Sequence, residues 1–309
     1  MALYLTNDDV RMLITTEECV GVMEDLFLQE ARGLVDNMPR QRIRFEKAGA
    51  NLMGGTVLGS NAYGVRHSNI TLLYDTTTGK LDAAIAPNEL AWIRTGAATG
   101  LAVKYMSKPD ASVVGLIGAG HQAITQLEGV CAVRNVKQVK VYSRTEETRR
   151  AFAAEMRERL GVEVVPVDSS TAAVKGSDVV VTMTSSREPV FDGNDLGPGT
   201  MVAAAGVNSF TKREIDETTI QRAAIIAIDN IEQAKTECGE LMWAAERGRF
   251  AWRRAVPLSD VVAGRVPGYP SSDAITLFES QGIGIEDIAA SKYILEKARK
   301  AGVGVELPF

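Results

Sequence analysis

Short apolar runs alternate with amphipathic stretches through the middle of the chain. Ser112-Val113-Val114-Gly115-Leu116-Ile117 has the continuous apolar character of a buried strand. A helix is predicted to start just after Gly120 and to run through Gln126 and Val130. Val139 to Tyr142 reads as the next strand and Glu146 to Leu160 as the next helix. Val162 to Val167, Val179 to Thr184, Met201 to Ala205 and Ile225 to Ile228 continue the series of strands. This alternation predicts βαβ units and an α/β fold with a doubly wound parallel sheet of Rossmann type over residues 111–290.

The first ~110 residues carry a different pattern. Ile70 to Tyr74 is a short strand, and Asp75-Thr76-Thr77-Thr78-Gly79-Lys80 after it has the composition of a hairpin turn. Asn88 to Met106 reads as one long helix with small residues on one face. After about Ser291 the chain is predicted to be helical and then extended, folding back onto the first domain. The expected organisation is therefore a discontinuous α+β substrate and dimerisation domain, residues 1–110 plus 291–309, interrupted by a dinucleotide-binding domain at 111–290.

Composition narrows the function classes. At 309 residues, 45% hydrophobic and 24% charged, the chain is ordinary for a soluble globular protein of about two domains. No apolar run approaches the ~20 residues of a spanning helix, and the start lacks a basic end followed by an apolar stretch, so neither membrane nor secretion is expected. A net charge of −5 with both signs dispersed argues against a nucleic-acid partner. Cys19, Cys131 and Cys238 are far apart, and His67 and His121 are isolated. That pattern predicts neither a disulfide framework nor a metal site, and it fits a reducing, cytoplasmic compartment.

Ile117-Gly118-Ala119-Gly120-His121-Gln122-Ala123 matches G-x-G-x-x-A between a predicted strand and a predicted helix. One glycine permits the tight turn, the second lets the backbone approach a pyrophosphate, and a small third residue lets helix and strand pack closely. The helix N-terminus then offers unpaired N–H groups to phosphate. Sites that prefer NAD place an acid on the ribose about 20 residues further on. Here that position reads Ser143-Arg144-Thr145, which has a cation and hydroxyls instead. Arg144 is expected to pair with a 2′-phosphate, favouring NADP over NAD. Thr182, Thr184 and Ser185 end a strand at the carboxyl edge of the sheet and are candidates to line the cofactor.

The chain resembles the ornithine cyclodeaminase/mu-crystallin family over nearly its whole length. The likeness is carried by Met38-Pro39-Arg40, Thr78-Gly79-Lys80-Leu81, Ile93-Arg94-Thr95-Gly96-Ala97-Ala98, the Gly118 loop and Ser143-Arg144-Thr145. It continues in Gly206-Val207-Asn208-Ser209, Arg213-Glu214-Ile215-Asp216, Asp229 to Ala234 and Leu277 to Gly282. The resemblance implies a homodimer paired through the first domain, with a substrate cleft between the domains. It also implies that Arg40 and Arg94 hold a substrate carboxylate, as planar guanidinium groups do well, and that Gly282 lies near the nicotinamide.

Two departures redirect the chemistry. Where the resemblance implies a catalytic lysine, in Tyr63-Gly64-Val65-Arg66-His67-Ser68, this chain has Arg66. Where cyclodeaminases and alanine dehydrogenases carry an aspartate acid/base, it has Asn208. Neither group titrates at physiological pH. Oxidative deamination and cyclodeamination need a base, whereas a cyclic or N-substituted imine can enter already protonated. The expected activity is NADPH-dependent reduction of an imine carboxylate, with Arg66 as a further anion clamp and Asn208 bonding the imine nitrogen or its water. The alternatives are a cyclodeaminase or alanine dehydrogenase-like enzyme, and a non-catalytic NADPH-binding protein like the crystallin members. His67 is expected to point away from Arg66 across the strand.

Overall fold

A computed structural model describes residues 1–308. In chain order the first elements are β1 (Leu3–Leu5), α1 (Asn7–Leu13), α2 (Thr16–Ala31), β2 (Val35–Arg44), β3 (Gly49–Val57), β4 (Ala62–His67), β5 (Ile70–Asp75), β6 (Leu81–Ile85) and α3 (Pro87–Met106). Then come β7 (Val113–Ile117), α4 (His121–Val133), β8 (Gln138–Tyr142), α5 (Glu146–Leu160), β9 (Glu163–Pro166), α6 (Ser170–Val174), β10 (Val179–Thr182) and β11 (Met201–Ala204). The last are α7 (Glu217–Arg222), β12 (Ile225–Ile228), α8 (Ile231–Glu237), α9 (Gly239–Glu246), β13 (Ala255–Pro257), α10 (Leu258–Val262), β14 (Thr276–Glu279), α11 (Gly284–Ala301) and β15 (Val305–Glu306). Two compact units result: residues 1–94 with 282–309, and residues 95–281. The sequence pattern placed its limits at 110 and 291 instead.

The first unit is built on a seven-stranded sheet of order β15-β1-β6-β5-β4-β3-β2. Its pairings are antiparallel apart from β1 with β6. The β5–β6 hairpin turns where its composition says it should. Asp75 accepts from the N–H groups of Thr77 and Thr78, and Gly79 supplies the positive φ of 69°. Both N-terminal helices start on capping boxes, Thr6 with Asp9 and Thr15 with Glu18. Met23, Leu26 and Phe27 of α2 are buried, each stabilising the unit by roughly 1.5–3 kcal/mol.

Helix α11 lies directly on this sheet. A Cβ at Gly54 or Gly64 would collide with sheet backbone, and one at Gly64 would also stand 2.4 Å from Ile288 Cδ1. A Cβ at Gly284 would stand 2.3 Å from the Gly54 nitrogen. The helix begins at Gly284, well before the expected Ser291. The alternating Gly282-Ile283-Gly284-Ile285 run conceals the start, because glycine weakens any helical signal.

The second unit holds an eight-stranded, wholly parallel sheet of order β13-β12-β14-β11-β10-β7-β8-β9. Strand order reverses at β7, so the crevice outside the carboxyl ends of β7 and β10 is the switch point where doubly wound sheets bind ligands. Its central strands are mostly apolar because both faces are covered; β10 and β11 are buried at every residue. Strand β10 stops at Thr182 and not at Thr184 as the apolar pattern suggested. The Thr184 N–H leaves the ladder and donates to the Glu214 carboxylate at 2.5 Å.

Among the described residues, no helix is long and apolar enough to cross a membrane.

Candidate active site

In the second unit, β7 delivers the chain to the Gly118 turn at the switch point. Gly118 adopts φ 116°, and a Cβ there would lie 2.2 Å from the Met183 carbonyl oxygen. Only glycine meets both demands. Gly120 is the N-cap of α4, no side chain bonds into that cap, and a Cβ at Gly120 would meet nothing within 4 Å. The first turn of α4, with His121 exposed and Gln122 half-buried, thus presents backbone N–H groups to open space. Ala123 is wholly buried against the strand. This cradle has the shape and polarity that a pyrophosphate requires.

Strand β8 ends at Tyr142, and the loop after it carries Ser143, Arg144 and Thr145. The Ser143 hydroxyl donates to the Thr145 carbonyl at 3.1 Å, while Arg144 and Thr145 are exposed. Thr182 and Thr184 sit at the end of β10, but their polar groups face inward. The Thr182 hydroxyl donates to Glu214 at 3.0 Å and the side chain is wholly buried. The Thr184 hydroxyl accepts from Ser186 N–H at 3.2 Å. Thr182 therefore supports the loop instead of lining an open surface. Ser185 and Asn208 are exposed on the loops after β10 and β11.

The sequence pattern did not reveal a set of buried acids beneath these loops. Glu214 accepts from the N–H groups of Thr184 and Gly206 and from the Thr182 hydroxyl, so it ties the ends of β10 and β11 together. Glu240 accepts from Glu214 N–H at 2.8 Å. The Cys238 thiol donates to Glu240 and Glu279 at 3.8 and 3.6 Å. Burial pushes all three carboxyls up, and Glu240, facing Glu214, reaches about 7. The segments containing Glu214 and Glu279 were visible in the sequence; nothing there marked the acids as buried.

In the first unit, the three arginines singled out by sequence gather about one segment, Gly282–Asp287. Arg40 donates to the Gly282 carbonyl at 2.7 Å and reaches the Met53 sulfur at 3.7 Å. Arg94, only 4% exposed, pairs with Glu286 at 2.8 Å and with Asp287 at 3.3 Å. Arg66 pairs with the other oxygen of Asp287 at 2.8 Å. Gly282 adopts φ 70°, and a Cβ there would stand 2.8 Å from Arg94 Nη1.

Arg94 is therefore no surface helix cation. It is a buried guanidinium held by two carboxylates from the first turn of α11. Glu286 and Asp287 were missed as site residues, although a pair of acids at a helix start two residues past Gly284 was there to be read. His67 follows Arg66 on β4 and projects from the other face of the sheet, as alternation requires.

The family model for the ornithine cyclodeaminase/mu-crystallin family matches residues 2–302. The chain belongs to that family. An alanine dehydrogenase of Archaeoglobus fulgidus is 30% identical, covering 99% of this chain and 98% of that protein. A Delta(1)-pyrroline-2-carboxylate reductase of Bacillus cereus is 33% identical over 78% of this chain and 74% of its own length. The solved structure of the Thermococcus litoralis Delta(1)-pyrroline-2-carboxylate reductase, in complex with NADH and L-proline, is 32% identical with a TM-score of 0.94. It covers 99% of this chain and 100% of that one.

Proposed function

We propose that this protein is an NADPH-dependent reductase of imine carboxylates, and the observation that carries the reading is the arginine cluster around Gly282. Arg40, Arg66 and Arg94 meet at one segment, and the family resemblance implies that Arg66 stands where a deaminating enzyme carries its lysine. Guanidinium groups fix a carboxylate bidentately and set the adjacent imine carbon in one orientation. Glu286 and Asp287 hold two of the three guanidiniums, so the clamp is rigid before substrate arrives. The nicotinamide cofactor, when bound, supplies the hydride.

The protein's own residues then have limited work. The cation cluster binds and orients the carboxylate, and Asn208 bonds the imine nitrogen or its water. No enzyme proton is needed when the substrate enters as the iminium: the hydride adds to carbon and the electron pair of the C=N bond settles on nitrogen as the amine. Two relatives named above reduce a cyclic imine carboxylate by their names, which supports this class of substrate. NADPH over NADH rests on the exposed Arg144 in a loop without an acid at residues 143–145.

Steady-state assays with NADPH and cyclic ketimine carboxylates test the reading. Turnover with a five- or six-membered cyclic imine carboxylate is expected, with loss of nicotinamide absorbance. Conversion of ornithine to proline with ammonia release, and no reduction of any imine carboxylate, would overturn it.

We also propose a homodimer paired through the first unit. The outermost strand β2 leaves Ile43 about half exposed, and Phe45 just past its end is also half exposed, at 49% and 56%. A long open edge of that kind is ordinarily paired or covered. Light scattering at micromolar protein is expected to give twice the chain mass of 33.2 kDa.

A further inference from the structure

The loop assigned to the 2′-phosphate has a second cation behind it. Arg149 lies one turn into α5 and is 8% exposed, at the head of the buried face that Phe152, Ala153 and Met156 continue. Its guanidinium donates to the Ser143 carbonyl at 3.3 Å and to Asp168 at 2.9 Å, and stands 5.9 Å from the Tyr142 ring centroid. It therefore grips the loop from inside, at the residue before Arg144. The carboxylate that neutralises it is unusual: the Asp168 side chain is 96% exposed, just past the end of β9. A pair with one member in water contributes little to stability, so folding alone does not account for a buried arginine here. The other charges nearby are exposed: Arg144 and Glu147, with Glu146 engaged by Arg150 at 2.7 Å.

We infer that Arg149 is a positioning residue for 2′-phosphate recognition and that Asp168 restrains it. Arg149 holds the Ser143 carbonyl inward, which fixes Arg144 and Thr145 in the outward arrangement a phosphate meets. Its positive charge also lies directly behind that loop. Asp168 offsets the charge in the free protein and opposes a dianion arriving beside it. Cofactor choice is thus set by three side chains: Arg144 attracts the phosphate, Arg149 braces the loop, and Asp168 weakens the preference. The inference rests on the NADPH reading above and extends it to residues well outside the 143–145 loop.

The test is direct binding, followed by calorimetry with NADPH, NADH, 2′,5′-ADP and 5′-AMP on the full-length protein. For Asp168→Asn, a fully exposed isosteric change that leaves folding intact, NADPH and 2′,5′-ADP are expected to bind about threefold to tenfold tighter. NADH and 5′-AMP should change less than twofold. For Arg149→Ala, 2′,5′-ADP should weaken at least tenfold while 5′-AMP changes less than threefold, and Arg149→Lys should recover part of the loss. A merely structural role predicts equal losses for both nucleotide pairs. Equal shifts, or no shift, for the phosphorylated and unphosphorylated ligands in Asp168→Asn would overturn the inference even if Arg149→Ala does not fold. The wild-type ratio of NADPH to NADH affinity tests the underlying reading separately.

Discussion

Replacing Glu240 by glutamine should make the protein more stable at pH 8 and flatten its response to pH. Glu240 is 2% exposed and is pushed up to about 7, first by burial and then by the neighbouring Glu214. Its ordinary value is 4.5, so the folded state holds this proton more tightly than the unfolded chain does. The linked stability is fully present below about pH 4.5 and is lost as pH rises through about 7. At about 1.4 kcal/mol per pH unit, the loss approaches ~3 kcal/mol for this one group. Glu214 and Glu279 are raised for the same reason and add in the same direction. Lowered carboxylates such as Glu18 and Asp178 act below their ordinary values of 4.5 and 3.8 and do not enter the pH range of the melts. Glutamine keeps an oxygen to accept the Glu214 N–H, which now stands at 2.8 Å, and carries no charge at any pH. Thermal melts from pH 5.5 to 8.5 sample about 2 kcal/mol of that loss, so the wild type should lose about 4 °C, taking about 2 °C per kcal/mol for a chain of this size. Glu240→Gln should lose clearly less. Every other residue is common to both proteins, so the difference between them isolates Glu240. Parallel melting curves across that range would refute the argument.

Arg94→Met leaves Glu286 and Asp287 short of a buried cation, so about 3–5 kcal/mol of stability should be lost in urea unfolding, together with all turnover. Gly118→Ala puts a methyl against the Met183 carbonyl, and calorimetry should show dinucleotide affinity falling at least tenfold while the fold survives by circular dichroism. Gly282→Ala presses on Arg94 Nη1, and the expected result is a raised KM for the imine carboxylate with little change in dinucleotide affinity. Asn208→Asp adds a titrating group beside a reaction that needs none, so the kcat for a preformed imine should change less than fivefold.

How much of this was legible in the sequence differs between the two units for a physical reason. A parallel sheet with both faces covered requires continuous apolar runs, and Val113–Ile117 and Ile225–Ile228 announce themselves. Helix α5 was read to its last residue because Gly161, at φ 67°, ends it with a left-handed cap. The glycine loop was legible because its composition is a steric requirement. Arg40, Arg66 and Arg94 were reached through family resemblance, since nothing local separates a clamping arginine from a solvated one. Their partners Glu286 and Asp287 stayed hidden for the converse reason. Acids in the first turn of a helix ordinarily serve the helix dipole, and only the packing of α11 on the glycine-rich strands buries them.

Buried acids in both units do structural work that the site depends on. In the first unit, Asp287 spans two guanidiniums with its two oxygens and so fixes their separation. In the second, Glu214 gathers two backbone N–H groups and a hydroxyl from the ends of β10 and β11, at the carboxyl edge of the sheet. These N–H groups would otherwise extend the ladder, so the carboxyl is what turns both loops out of the sheet. The burial that raises the Glu214 carboxyl is therefore the same burial that shapes the loops bearing Ser185 and Asn208. On the function proposed above, a reductase of preformed imines has little use for titrating groups that touch its substrate, and the arginine and asparagine at 66 and 208 fit that economy. Its acids serve best one layer away, where they hold cations and loops in place.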